Sequence, residues 1–267
     1  MGFADLCSRR FALAQAPRRR SVVATILIPL FYLPQQEERA HSLAPWCEAV
    51  EVHSSGLSEV LMAQRTEAAL VLDELGLGLL MPDHQTLYRL SQQPYQRRSK
   101  TGHLNELSKA CGVPQGHRRI LDACAGFGTD GMTLAAQGCT VTMVERNTLV
   151  WLLLREHDQT FGRVTVVHGD CRDLMGDPHQ WDVIYLDPMF PPRRKTALPN
   201  LGLQHLRKLS AGEESECGES LPQLIALARS CALARVVVKR RLKDPKDTLA
   251  TFQIKGKSIR FDVYLPK

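Results

Sequence analysis

Short apolar runs alternate with longer amphipathic segments from residue 119 to the end of the chain. Apolar runs of about four to eight residues bounded by turn formers are typical of buried strands, and a 3.6-residue period is typical of helices. Because strands that alternate with helices form a mostly parallel sheet covered on both faces, the pattern predicts an α/β fold. The predicted strands are 120–123, 139–145, 164–168, 181–186, 235–239 and 258–264, and the predicted helices are 131–137, 147–158 and 221–232.

The first hundred residues carry a different pattern. Two short apolar stretches within 69–81 flank a turn, 87–90 is a candidate further strand, and 103–111 has the pattern of a helix. We therefore expect two domains: an N-terminal extension with a small β-containing α+β domain at 1–95, and the α/β domain at 96–267.

A basic stretch precedes an apolar run near the amino terminus. Arg9, Arg10 and the arginines at 18–20 come before the run 21–33, which Pro29 interrupts. This order resembles a secretory signal, although the run is too short to span a bilayer. We favour the alternative, an N-terminal extension followed by a buried strand, because the rest of the chain has cytosolic features.

Composition adds a weak indication of the partner and the compartment. Lys and Arg outnumber Asp and Glu by 34 to 28, which gives a net charge of +6 and a pI near 9.0. This excess suits a polyanion such as nucleic acid but does not require one. The eight cysteines form no C-x-x-C pair and have no histidine at metal-ligand spacing, so we expect reduced thiols, no metal and a cytoplasmic protein.

A glycine-rich turn joins the first strand of the α/β region to its helix. The segment 121–130 (LDACAGFGTD) contains Gly126 and Gly128, which let the backbone approach a ligand closely. The next predicted strand ends in Glu145, at the position where such folds bind ribose hydroxyls. A tight turn and a solvated charge would explain each feature separately, but together they predict a nucleoside-containing cofactor.

The segment 185–192 (YLDPMFPP) directly follows a predicted strand. It resembles the D/N-P-P-Y/F motif of methyltransferases that act on exocyclic amines of adenine, cytosine and guanine, with Met189 replacing the second proline. Such an amine is a poor nucleophile because its lone pair is delocalised into the ring. A carboxylate such as Asp187 orients the amine and stabilises the positive charge that develops during transfer.

The residues after Asp187 fit the same chemistry. Pro188 would stiffen the loop, and Phe190 would stack on an extruded base. The alternative is a proline-rich turn that packs Phe190 into the core. Direct in-line transfer needs alignment and charge stabilisation but no nucleophilic residue and no metal, so we expect His168 to be a packing residue.

Several motifs in a fixed order give a more specific resemblance. The segments 122–130, 138–147, 185–191, 235–240 and 260–264 are similar to the bacterial ribosomal RNA small subunit methyltransferase J family. The resemblance implies a Rossmann-like class I methyltransferase sheet, S-adenosylmethionine as cofactor, and transfer to a guanine N2 of 16S rRNA.

The resemblance also implies site residues. Asp187, Pro188 and Phe190 would be catalytic. The cofactor-binding residues that it implies are Thr129, Asp130, Glu145, Arg146, Asp170, Cys171 and Asp187, and the glycine turn itself adds Asp122, Gly126 and Gly128. Basic residues at the carboxyl ends of strands are expected to contact phosphates of 16S rRNA or the small ribosomal subunit: Arg193, Arg194, Lys195, Lys239, Arg240 and Arg241.

Two other functions fit the same residues. The Asp187 motif also serves methyltransferases that modify adenine N6 or cytosine N4. A non-catalytic RNA-binding assembly factor could retain the same fold, although an intact Asp187 motif argues against this alternative. Nothing in the sequence indicates that the protein acts at a membrane.

Overall fold

A computed structural model describes residues 27–63, 67–82, 85–90, 105–157, 162–176, 180–188, 201–210 and 221–267. The strands are β1 (Ile28–Tyr32), β2 (Cys47–Glu51), β3 (Ala69–Asp73), β4 (Gly76–Leu80), β5 (Arg119–Asp122), β6 (Thr140–Glu145), β7 (Val164–His168), β8 (Trp181–Leu186), β9 (Ala232–Arg241), β10 (Phe252–Lys255) and β11 (Ile259–Tyr264). The helices are α1 (Glu37–Ser42), α2 (Ser54–Met62), α3 (Glu106–Ala110), α4 (Thr129–Ala135), α5 (Thr148–His157), α6 (Cys171–Leu174), α7 (Leu201–Ser210) and α8 (Leu221–Cys231).

Within the described residues, the larger sheet has seven strands in the order β10-β11-β9-β8-β5-β6-β7. All pairs from β9 to β7 are parallel, and β11 is antiparallel to both of its neighbours. Six strands therefore point the same way, and their carboxyl ends share one edge of the sheet. This architecture confirms the predicted α/β, Rossmann-like class I methyltransferase fold.

Helices cover both faces of this sheet, which explains why its central strand β8 is mostly apolar. Along β8, Val183 and Tyr185 pack with α3 and α4 on one face, whereas Ile184 and Leu186 pack with α8 on the other. All four side chains are fully buried. The alternation is the two-residue period of a strand, and it fixes which side chains near the strand ends face α4.

The smaller sheet, in the order β2-β1-β3-β4, is formed by the N-terminal part of the chain. Strand β1 is parallel to β2 and β3, and β3 and β4 form an antiparallel hairpin. Its apolar side chains share a cluster with Leu149, Trp151, Leu152 and Leu153 of α5. Helix α5 therefore packs against the smaller sheet as well as contacting β6 and β7 of the larger one.

Most predicted elements are confirmed, and the differences lie mainly in short segments. The strands at 164–168 and 181–186 have the predicted bounds, and the two strands within 69–81 form the expected hairpin. The prediction of a strand at 87–90 is wrong, because this segment makes only an isolated bridge between Leu79 and Tyr88. The sequence analysis missed α1, α2, β2, α6, α7 and β10. The expected domain boundary near residue 95 lies outside the described residues.

In the part of the chain that the structure describes, no helix combines the length and the apolar character needed to cross a membrane. The apolar run near the amino terminus ends in β1, whose Leu30 and Tyr32 are buried. This agrees with the favoured expectation of a buried strand at that position. Residues 1–26 lie outside the described ranges.

Candidate active site

Acidic side chains stand at the carboxyl ends of four neighbouring parallel strands. Asp122 ends β5, Glu145 ends β6, Asp170 follows β7 and Asp187 follows β8. Strands β5 and β8 lie side by side where the chain reverses its direction of travel across the sheet. Open parallel sheets bind ligands at this switch point, so the row of carboxylates marks the candidate active site.

The glycine turn adopts the left-handed backbone conformation that its sequence suggests. Gly126 and Gly128 have φ angles of 53° and 71°, a region that side chains with a Cβ rarely adopt. A Cβ on Gly128 would also lie 2.4 Å from Leu154 Cδ1. The turn therefore requires glycine at this position both for its conformation and for its close packing on α5.

Glu145 ties the glycine turn to the following loop. Its Oε2 accepts a hydrogen bond from the Gly126 amide at 2.9 Å, and its Oε1 accepts one from the Asn147 amide at 2.8 Å. The side chain is half-buried at the end of β6. These two bonds hold the carboxylate at the carboxyl end of β6, the position at which such sheets bind ribose hydroxyls.

A lysine joins two of the predicted site carboxylates. Lys239 Nζ, near the end of β9, lies 2.6 Å from Asp130 Oδ2 and 2.7 Å from Asp187 Oδ2. The hydroxyl of Tyr185 donates to the same Asp130 oxygen at 2.7 Å. Burial would lower the pKa of Lys239, but Asp130 and Asp187 outweigh it and raise the pKa above its usual value, so the ammonium stays charged.

Asp122 lies beneath this network and is only 2% exposed. Among the described residues, its Oδ1 has no hydrogen-bond partner. Burial raises the pKa of Asp122 to about 8, and the nearby carboxylates of Asp130 and Asp187 act in the same direction. The free protein therefore holds a carboxyl group that is largely protonated at neutral pH.

The segment after β7 is organised by Asp170. Its carboxylate caps α6 by accepting a hydrogen bond from the Arg172 amide at 2.9 Å. The hydrogen bond from the Arg172 side chain lowers the pKa of Asp170. Cys171 begins α6 and is half-buried, while Arg146 is exposed after β6.

His168 ends β7 at an exposed position, where its ring packs on a neighbouring aromatic side chain. Its ring stacks on Trp151 with ring centroids 4.7 Å apart and an interplanar angle of 23°. Its Nε2 lies 3.1 Å from the Arg146 carbonyl oxygen. Burial lowers the pKa of His168, which favours a neutral ring.

Helix α7 packs against the glycine turn, a contact that the sequence analysis missed. A Cβ on Gly126 would lie 2.9 Å from Leu206 Cδ2. The Asn147 side chain donates to the Leu209 carbonyl at 3.3 Å. Phe127 in the turn lies against Tyr88, with ring centroids 5.4 Å apart. The leucines at three-residue spacing in 201–210 were the available signal for this helix.

Some of the remaining predicted site residues lie near the strand ends, and others lie outside the described residues. Thr129 is half-buried at the start of α4, and Pro188 is half-buried after Asp187. Arg240 Nε lies 3.7 Å from Asp262 Oδ2, and Arg241 ends β9. Four predicted residues lie outside the described residues: Phe190, Arg193, Arg194 and Lys195.

The fold agrees with comparisons to known proteins. A family model described as "Putative SAM-dependent methyltransferase" matches residues 54–266. A crystal structure of a SAM-dependent methyltransferase from Neisseria gonorrhoeae superposes with a TM-score of 0.64 at 24% identity, covering 89% of this chain and 96% of that one. This likeness independently supports the class of fold.

Curated relatives specify the family more narrowly. The ribosomal RNA small subunit methyltransferase J of Rhodopseudomonas palustris is 39% identical over 186 residues, which cover 64% of this chain and 88% of that protein. The protein of the same name from Pseudomonas fluorescens is 36% identical over 247 residues, covering 84% of this chain and 92% of its own length. The chain is therefore a SAM-dependent methyltransferase and belongs to the ribosomal RNA small subunit methyltransferase J family.

Proposed function

We propose that this protein transfers a methyl group from S-adenosylmethionine to the exocyclic N2 of a specific guanine in 16S rRNA. The observation that carries the proposal is the position of the Asp187 carboxylate. It lies at the switch point of the sheet and forms an ion pair with Lys239 close to the glycine turn. The names of the relatives supply the substrate class, small-subunit ribosomal RNA. A ribosomal RNA substrate would be met in the cytoplasm, which supports a cytoplasmic location.

The residues at the strand ends suit S-adenosylmethionine. Glu145 would accept hydrogen bonds from the ribose hydroxyls, and the left-handed turn at Gly126 and Gly128 would allow close approach of the ligand. Asp130 and Asp170 supply negative charge near a ligand that carries a sulfonium and an ammonium. When bound, the cofactor supplies a methyl group activated by its positively charged sulfur.

Asp187 would act on the target base. Its carboxylate accepts N–H bonds from the exocyclic amine, which orients the amine's lone pair and stabilises the positive charge that develops on nitrogen. Pro188 restricts the backbone directly after this carboxylate. Phe190 would stack on the extruded base, a role that stays a prediction.

Removing the Glu145 side chain is expected to weaken binding of S-adenosylmethionine. Glu145→Ala should cost about 1.5–3 kcal/mol of binding free energy, the range for hydrogen bonds to a charged group. Titration calorimetry with the cofactor measures this change directly. Glu145→Gln is the matched control, because it retains one acceptor oxygen and should bind with intermediate affinity; equal affinity of wild type and Glu145→Ala would reject the assignment.

Reversing the charge of predicted phosphate-binding residues is expected to weaken RNA binding, because it removes electrostatic attraction to the RNA phosphates. The double variant Arg193→Glu and Arg241→Glu should raise the dissociation constant for RNA. It should also flatten the dependence of log K on log salt by about one for each phosphate that the protein no longer neutralises. Affinity for the cofactor should not change.

The measurement is RNA binding across a series of salt concentrations. Lys109→Glu is the control, since Lys109 is exposed on α3 and lies outside the proposed site. An unaltered salt slope in the double variant would assign Arg193 and Arg241 to ordinary solvated surface.

The choice of substrate is tested by supplying RNA at two levels of assembly. The protein is incubated with labelled S-adenosylmethionine and either naked 16S rRNA or small subunits, both from a strain that lacks the modification. We expect transfer to at least one of these substrates. Cofactor binding without transfer to either would favour a non-catalytic RNA-binding role.

A further inference from the structure

We propose that Lys239 is a positioning residue for methyl transfer, which holds the Asp187 carboxylate ionised and oriented by bridging it to Asp130. The inference rests on the proposed function, because it assumes that Asp187 meets the target amine. It assigns Lys239 a role different from the phosphate contact expected from the sequence.

The geometry of the bridge supports this role. The Lys239 ammonium reaches Asp130 Oδ2 at 2.6 Å and Asp187 Oδ2 at 2.7 Å, distances typical of short charge-assisted hydrogen bonds. The lysine side chain is 22% exposed, and the side chains of Asp130 and Asp187 are 11% and 30% exposed. In this position the ammonium forms ion pairs with two carboxylates and is largely shielded from solvent.

Strand alternation explains why the lysine points inward. Val237 and Tyr185 face α3 and α4, and Val236 and Val238 face the opposite side with α8. Lys239 follows Val237 by two residues and so lies on the α4 side, where Asp130 occupies the second position of the helix. The bridge therefore joins the helix that follows the glycine turn to the strand end that carries Asp187.

Electrostatics gives the bridge a function beyond packing. Asp130 and Asp187 both contact the same ammonium, so their carboxylates lie close together, and neighbouring like charges favour protonation. A nearby cation reverses this tendency, so Lys239 would keep Asp187 able to accept N–H bonds from the amine. The described titratable groups around this contact are Asp122, Cys124, Asp130, Tyr185 and Lys239.

The test compares Lys239→Met and Lys239→Arg in single-turnover and steady-state methylation of small subunits that lack the modification. At pH 7, Lys239→Met should lower kcat by about 10–150-fold, the range for losing a hydrogen bond to a charged group. KM for the RNA should change little. Lys239→Arg, which keeps the positive charge, should restore part of the rate.

The pH profile separates positioning from a merely structural role. Without the ammonium, Asp187 takes up a proton more readily, so the acid limb of the kcat profile should move to higher pH and activity should recover as the pH is raised. Lys109→Met serves as the exposed-lysine control and should keep the wild-type profile. If Lys239→Met does not fold, Lys239→Gln provides the same comparison with a polar side chain that carries no charge.

The outcomes distinguish this inference from the proposed function. If wild type methylates the subunits but Lys239→Met keeps the wild-type kcat and acid limb, the positioning role is wrong. A higher KM for RNA with unchanged kcat would instead make Lys239 a phosphate contact and would also overturn the inference. Wild-type protein that transfers no methyl group to RNA would reject the proposed function itself.

Discussion

Replacing Asp187 with alanine is expected to lower the single-turnover rate of methyl transfer by about 10²–10³, the usual effect of removing one preorganised group from a transition state. The substitution removes the acceptor that orients the exocyclic amine and balances its developing charge. Asp187 is 30% exposed at the strand end, so folding should survive. Single-turnover methylation at saturating cofactor measures the loss.

Asp187→Asn is the matched control for charge. It keeps an acceptor oxygen and loses the negative charge, so an intermediate rate is expected. The melting temperature of both variants should stay close to that of wild type. An Asp187→Ala protein that folds and transfers methyl groups at the wild-type rate would exclude Asp187 from the reaction.

Replacing Asp122 with asparagine is expected to stabilise the free protein at alkaline pH. Burial raises the pKa of Asp122 from 3.8 to about 8. In this range the folded state keeps a proton that the unfolded state releases, so the free energy of unfolding falls as pH rises from about 4 to about 8. Each pKa unit corresponds to about 1.4 kcal/mol, so the effect should reach several kcal/mol at pH 9.

Thermal unfolding of wild type and Asp122→Asn between pH 5 and pH 9 tests this linkage. The difference in melting temperature should grow with pH and level off above about pH 8. Asp182→Asn should instead lower the melting temperature by an amount that does not change across this range: burial alone would raise the pKa of Asp182, but hydrogen bonds from Arg119 and Arg118 lower it below 3.8, so the stability it contributes is fully present above that pH. A pH-independent difference for Asp122→Asn would mean that ionising the buried carboxyl does not lower the free energy of unfolding as the pH rises.

The sequence predicts the parallel sheet because its strands stand out as short apolar runs between polar segments. Segments 164–168 and 181–186 are apolar runs bounded by polar residues, and both have the predicted bounds in the structure. Glu145 and Asp187 are found at strand ends for the same reason, since each directly follows or closes a recognisable strand. In 181–186 the apolar run reflects a strand whose last four residues are buried, whereas 164–168 is half-buried or exposed at the edge of the sheet and is marked by its valines alone.

Features that depend on distant contacts were not predictable from local pattern. Lys239 belongs to a run of basic residues that resembles a solvated surface, and only the fold brings it to Asp130, 109 residues away in the chain. Helix α7 packs on the glycine turn through Leu206, a contact that its own sequence does not specify. Apart from Cys47, the side chains of the short strands β2 and β10 are exposed or half-buried, so the hydrophobic pattern marks these strands weakly.

The most direct test of the central claim is the identity of the methylated nucleoside. Small subunits from a strain that lacks the modification are incubated with the protein and tritiated S-adenosylmethionine, and the 16S rRNA is digested to nucleosides and separated by chromatography. We expect the label to elute with N2-methylguanosine, and Asp187→Ala to give little of it under the same conditions. Label in N6-methyladenosine or N4-methylcytidine, or no label in the RNA, would contradict guanine-N2 transfer.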